Sequence, residues 1–228
     1  MQSNFLGKYA PSSWRYILDP ALSGQANMDR DYRLMEECCQ PTLRLYAWER
    51  PTLSLGRNQR DNWIDRALCQ EHDVEVVRRP TGGRALLHLP SEITYAVILP
   101  QVGEVGVQQA FTDIAWVLAQ ALLRLGLPVT PATSGHIPGS ASHPSCMAVT
   151  APGEVTVNGR KFVGSAQVRH EGNLLQHGVI VRCYDRELLQ LLIPGAEPGV
   201  DLQELGFAEL KPEQIVSAWQ KVLAENFG

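Results

Sequence analysis

Five cysteines, Cys38, Cys39, Cys69, Cys146 and Cys183, are the chain's candidate thiol nucleophiles, and their positions separate them more than their number does. Cys146 ends a Pro, Gly, Ser and Thr-rich stretch from Thr130, which reads as a long loop where a thiol can meet a substrate. Cys38 and Cys39 fall near a helix end, and Cys183 ends an apolar strand. A free thiol has a pKa of roughly 8.5, so nucleophilic work near neutral pH needs a nearby cation or helix N-terminus. Lys161 is the candidate cation, because a hairpin turning at Asn158-Gly159 can fold its ammonium back toward the loop. Both residues also have plain structural readings, as a small core hydrophobe and a solvated lysine.

The stretch Arg78 to His88 places Gly82 and Gly83 between strand-like runs, a bend whose backbone can approach a ligand closely. A simple hairpin turn is the competing reading. Alternation along RKFVGSAQVR puts Lys161, Ser165, Gln167 and Arg169 on one face and Phe162, Gly164, Ala166 and Val168 on the other. The polar face is expected to look at water, with a binding cleft as the alternative, and Gly164 leaves room for a ligand chain. His177 lies in the apolar run LLQHGVIV, the usual setting of a satisfied core histidine. The six histidines are dispersed, which argues against a metal site.

The elements that must position these residues follow from periodicity. Strands are expected near Trp14–Asp19, as a pair in TLRLYAWERPTLSLG broken at Pro51, at Val74–Val77, twice within RALLHLPSEITYAVIL, on either side of Asn158-Gly159, and at Leu174–Val181. Helices are expected at Ala21–Glu37, Ile64–His72, Val107–Leu125, Asp185–Leu192 and Pro212–Asn226. The third is the clearest, with Phe111, Ile114, Leu118, Leu122 and Leu125 at helical spacing. This pattern predicts an α+β fold with helices packed on a mixed, mostly antiparallel sheet.

With 44% apolar and 19% charged residues, the chain has the composition of a protein that buries a core, and 228 residues suit one domain. Twenty basic against 24 acidic residues exclude a global pull toward nucleic acid or an anionic membrane. Scattered cysteines without CxxC pairs suit a reducing compartment. An N-terminus without an apolar h-region, and no run of eighteen apolar residues, lead to the expectation of a soluble, cytoplasmic protein.

Taken in order, PTLSLGRNQ, RRPTGGRALLH, SEITY, Cys146, GRKFVGSAQVR and LLQHG resemble the biotin/lipoate protein ligase superfamily over roughly Trp14 to Arg182. Within it, the chain is most similar to the cysteine-dependent octanoyl-[acyl carrier protein]:protein N-octanoyltransferases of the lipoate-synthesis M type. The resemblance implies a class II synthetase-like fold, with one catalytic domain over residues 1–228 and a tunnel for the acyl chain. It implies Cys146 as the nucleophile, fifteen residues before Lys161, which stabilises the thiolate or the oxyanion. Substrate-binding roles are implied for Arg79, Thr81, Gly82, Gly83, Arg84 and His88 in the first motif. In the later motifs they fall to Gly164, Ser165, Ala166, Gln176 and His177.

The implied activity is the first step of lipoate biosynthesis. Octanoyl leaves octanoyl-acyl carrier protein, rests as a thioester on Cys146, and passes to a lysine of lipoyl domains of 2-oxoacid dehydrogenases or of the glycine-cleavage H protein. It needs no ATP, cofactor or metal, and both carriers are expected to be acidic, so Arg78, Arg79, Arg84 and Arg169 are docking candidates. The chain departs from the family pattern at Leu89, where an acidic residue usually follows the histidine. It departs again in CMAVTAPGEV, where an aromatic residue and a Pro-Ser pair usually follow the cysteine. Three alternatives stay open: an ATP-dependent lipoate-protein ligase, an octanoyl amidotransferase between carrier proteins, and a noncatalytic acyl- or lipoyl-binding module. With the sequence ending near Phe227, the expectation is of little room for the accessory domain many such ligases carry.

Overall fold

Side chains along a strand point alternately to two faces, and here one alternation has an apolar phase and a polar one. In the computed structural model, which describes residues 4–132, 147 and 152–228, Leu43, Leu45, Tyr95, Val97 and Leu99 share a core cluster with helical residues such as Ile114, Leu118 and Trp219. The intervening Arg44, Tyr46, Thr94 and His177 are buried too. Both phases therefore lie under other elements, and the polar one must find its partners inside the protein.

The order is β1 (Arg15–Leu22), α1 (Gly24–Glu36), β2 (Thr42–Trp48), β3 (Thr52–Leu55), α2 (Arg66–Glu71), β4 (Glu75–Arg78), β5 (Leu86–His88) and β6 (Ile93–Leu99). Then come α3 (Val107–Arg124), β7 (Thr130–Pro131), β8 (Val155–Val157), β9 (Arg160–Lys161), β10 (Val163–His170), β11 (Asn173–Ile180), α4 (Arg186–Leu192) and α5 (Pro212–Phe227). A five-stranded sheet runs β1-β2-β6-β11-β10, parallel only between β1 and β2. A second sheet runs β4-β3-β5, and a third, of short strands, β7-β8-β9. The mixed, mostly antiparallel α+β architecture is the one expected. Among the described residues no helix is long and apolar enough to cross a membrane.

The expected pairing within TLRLYAWERPTLSLG is corrected. β2 pairs β1 and β6 in the large sheet, whereas β3 pairs β4 and β5 in the second. Every residue of β3 is buried, as are all but Ala47 in β2, so each strand needs partners on both edges, and the break at Glu49–Pro51 carries the chain from one sheet to the other. The hairpin at Asn158-Gly159 is as expected, both residues taking positive φ between β8 and β9.

Helix α1 is tied down at both ends of its buried face. Its first amides, Gly24 N and Gln25 N, donate to the Glu75 carboxylate at 2.7 and 3.0 Å, where a negative charge complements the helix N-terminus. One turn further in lies a charge cage around Arg44, whose side chain is fully buried. Its Nε donates to Asp19 at 2.7 Å, its Nη1 to Asp31 at 2.6 Å, and its Nη2 to the Asn27 side chain at 2.7 Å. Tyr46 completes the cage, donating its hydroxyl to Asp31 at 3.0 Å while its ring lies 3.8 Å from the guanidinium. Arg44→Ala is expected to destabilise the protein by about 3–5 kcal/mol, the usual cost of stripping one partner from a buried ion pair. Urea unfolding should read this as a lower midpoint, and a loss near zero would remove the cage from its structural role.

Candidate active site

Between the polar face of the large sheet and the second sheet lies a narrow, partly open cavity. The large sheet supplies Tyr46, Trp48 and Thr94, together with Gly164 and Ala166. The second sheet and its turn supply Arg79, Leu86 and His88, and α1 supplies Met28. Gly164 and Ala166 are the small-residue phase of β10, so the strand backbone itself forms part of the wall.

The opposite phase of β10 corrects the expectation of a water-facing polar surface. Ser165 bonds the Tyr95 hydroxyl at 2.8 Å, and Gln167 donates to Gln176 at 3.0 Å, because the sheet continues on that side with polar partners. Ser165 contributes to the cavity wall while its hydroxyl turns to Tyr95. Gln176 faces the same way, its amide 3.4 Å from Tyr95, and is not among the cavity-lining residues.

Two buried histidines border the cavity, each held from behind by a carboxylate. His177 Nδ1 is 2.9 Å from Asp31 and its Nε2 is 2.7 Å from the Thr81 hydroxyl. Burial depresses the His177 pKa below its ordinary 6.5, outweighing the hydrogen bond and charge of Asp31. Burial also acts to raise the Asp31 carboxyl, but the His177 hydrogen bond and the Arg44 charge prevail and hold it low. Neutral His177 thus donates from Nδ1 to an ionised Asp31 and accepts at Nε2 from Thr81, which belongs to the glycine turn.

His88 repeats the plan with Nδ1 2.5 Å from Glu92 and Nε2 2.7 Å from Ser54, its ring stacked on Trp48 at 4.0 Å. Glu92, in the SEITY segment, also accepts from the Leu89 amide at 3.3 Å. A hydroxyl, imidazole and carboxylate in line resemble a nucleophile with its base and orienter. Neither Ser54 nor Thr81 lines the cavity, however, and Ser54 also accepts from Arg79 at 2.6 Å. The two series work as struts that present a histidine ring to the cavity.

Arg79 braces the glycine turn. Its Nη1 donates to Ser54 O at 2.7 Å, and its Nη2 to Gly82 O and Arg84 O at 3.2 and 2.8 Å. Gly83 takes φ +95°, which other residues resist, and with Gly82 it stands behind the cavity rather than in its wall. Arg79 is 6% exposed, so its reading as a docking residue is corrected: the guanidinium is consumed by the turn. Arg78 spends its Nη1 on the carbonyls of Gly56, Arg57 and Gln59, and Arg169 is half-buried with Nε and Nη2 hidden from solvent.

Lys161 is buried on β9 and its Nζ lies 2.7 Å from Glu154, a partner sequence reasoning did not single out. Cys146 lies outside the described residues. Its chain neighbour Met147 packs with Leu86, Val179 and Val181. Gly199 is the contact that brings this end together: a Cβ there would sit 2.3 Å from Lys161 O and 2.7 Å from Met147 Cε. Of the cysteines among the described residues, burial pushes Cys38 up to about 11 and raises Cys69, and none lines the cavity. Among the described residues no cluster of His, Cys, Asp and Glu could hold a metal.

Asp31, Arg44, Glu92, Glu154 and Gly199 were not found from sequence. The available signal was polar residues at strand and helix positions otherwise facing the core, Asn27 and Asp31 being spaced i,i+4 beside Met28 and Met35.

A histidine depressed in the fold is protonated more readily in the unfolded chain, so the stability it contributes is complete above about pH 6.5 and falls as pH drops below that value. His177→Gln should flatten the fall in urea midpoint between pH 7 and pH 5 relative to the parent protein. Parallel curves would place the acid sensitivity elsewhere.

The lipoyl protein ligase A/B catalytic domain family matches residues 23–203. The octanoyltransferase LipM of Carboxydothermus hydrogenoformans is 41% identical over 180 residues, covering 74% of this chain, and the chain spans 65% of that relative's length. The octanoyltransferase LipM of Kyrpidia tusciae is 34% identical, covering 95% of this chain and 88% of its own. A crystal structure of lipoate-protein ligase A bound with ATP superposes with a TM-score of 0.74 at 19% identity, over 94% of this chain and 85% of that one, a likeness of fold. The chain belongs to the lipoyl protein ligase A/B catalytic domain family.

Proposed function

We propose that this protein transfers an octanoyl group from octanoyl-acyl carrier protein to a lysine of lipoyl-domain proteins, through a thioester on Cys146. The observation that carries this reading is the narrow cavity between the two sheets, walled by Met28, Trp48, Leu86, Gly164 and Ala166. Such walls suit an unbranched apolar chain, and relatives at 34–41% identity carry the name octanoyltransferase.

In the first step the Cys146 thiolate attacks the octanoyl carbonyl, a new C–S bond forms, and the carrier's thiolate leaves and takes up a proton. In the second, the acceptor lysine amine attacks the same carbonyl, the C–N bond forms, the Cys146 C–S bond breaks, and the amine's proton returns to sulfur. Support for Cys146 comes from Met147, which packs on Leu86 where that residue also lines the cavity. A nucleophile beside Met147 would meet the carbonyl end of a chain running from there toward Met28. Lys161, next to Met147 across Gly199, would stabilise the thiolate or the oxyanion, with Glu154 holding the ammonium in place.

Intact-protein mass spectrometry after mixing with octanoyl-acyl carrier protein, without ATP, should show one added octanoyl group on the wild type, removable by a lipoyl-domain acceptor. Cys146→Ala should show none and lose transfer by at least about a thousandfold. Acceptor modification that appears only with ATP and free octanoate would replace this reading with a ligase.

Lys161 separates structure from catalysis. Lys161→Met removes the cation facing buried Glu154 and should cost about 3–5 kcal/mol of stability. The double variant Lys161→Met/Glu154→Leu should recover most of that in urea unfolding yet stay deficient in transfer. Recovery of transfer along with stability would reduce Lys161 to a structural ion pair.

A further inference from the structure

The acyl cavity and a second cavity meet at two side chains, Met28 and Arg79. Along β10 the first is lined by Gly164, Ser165 and Ala166, and further along the strand Val168, Arg169 and His170 line a more open cavity of about 430 Å3 between α1 and Pro80. Met28 and Arg79 line both. Arg79 is fixed by its hydrogen bonds to Ser54, Gly82 and Arg84. Met28, 3% exposed, is held only by packing, with Tyr46, Trp48 and Val77 around it.

A chain entering at the Leu86 and Gly164 end and running along β10 passes Ala166 and comes next to Met28. Two strand residues measure ~7 Å, so the step from Ala166 to Val168 is long enough to admit several further methylenes if that wall were absent. Beyond it the surroundings change from Trp48 and Leu86 to Asp29, Arg57, Arg78 and Arg169, where an alkyl chain gains less.

We propose that Met28 is the end wall of the acyl cavity and sets the length of acyl chain the protein accepts. Chains that reach Met28 fill the cavity, and longer ones must displace it. The inference rests on the reading above only in taking the first cavity as the acyl site.

The test is calorimetric binding of free octanoate and dodecanoate to the full chain, carrying Met28→Ala, Met28→Phe or, as a control, Met35→Ala. Met35 is equally buried in the same cluster and lines only the second cavity. Wild type should prefer octanoate. Met28→Ala should shift the affinity ratio toward dodecanoate by at least about tenfold, since each newly buried methylene is worth about fourfold. Met28→Phe should shift preference from octanoate toward hexanoate, which keeps the test alive should the alanine variant unfold, and Met35→Ala should leave the ratio alone. An unchanged ratio in the Met28 variants that bind, or an equal shift in Met35→Ala, overturns the proposal while leaving the acyl site intact. Absence of fatty-acid binding to wild type overturns the acyl site, and Met28's role with it.

Discussion

Much of this structure depends on a cation sealed beneath a helix. Arg44 has no route to water, so its charge is tolerable only because Asp19, Asp31 and Asn27 meet its guanidinium on separate nitrogens. That requirement fixes α1 over the sheet, since Asn27 and Asp31 come from the helix and Arg44 from β2. An ammonium could not satisfy three acceptors arranged around a planar fork. Asp31 then passes the constraint on, because its second oxygen receives Tyr46 and His177.

From Asp31 the order propagates to the cavity wall. His177 carries it from the helix to Thr81, and the Arg79 fork carries it through Ser54 to His88 and Glu92. The glycine turn is thus held from two sides by side chains that do not move independently. The rings that face the cavity present flat surfaces, while their polar atoms are engaged behind them. A cavity built from polar residues in this way can still receive an uncharged alkyl chain, since few hydrogen-bonding groups are left to be stripped of partners when it fills.

At the other end the charge is arranged differently. Lys161 and Glu154 form a buried ion pair on the small third sheet, beside the core residues Phe162 and Val163. An ammonium sharing its charge with a fixed carboxylate attracts a thiolate less than a bare one would, yet it keeps a set direction. The approach of Met147 to the Lys161 backbone is possible because Gly199 has no side chain to separate them. Positioning here rests on close contact of backbone, and in the glycine turn on arginine hydrogen bonds.

What the residues alone determined was local. The hydrophobic period over Val107 to Leu125 predicts α3, positive-φ turn residues predict the β8–β9 hairpin, and alternation along β10 separates Gly164 and Ala166 from Ser165 and Gln167. The motif order singles out the glycine turn, His88, Lys161 and His177 as candidates, and of these His88 and His177 line the cavity. What the tertiary structure decided was which partners these residues have. β2 and β3 separate into different sheets, the small face of β10 forms the cavity wall, and Arg79 turns inward to serve the backbone. Asp31 reaches His177 across 146 positions of sequence and Gly199 meets Lys161 from a distant loop. The physical reason is common to all of them: backbone preference and periodicity act over a few residues, whereas a buried charge takes whichever partner the packing of distant segments brings within hydrogen-bonding distance.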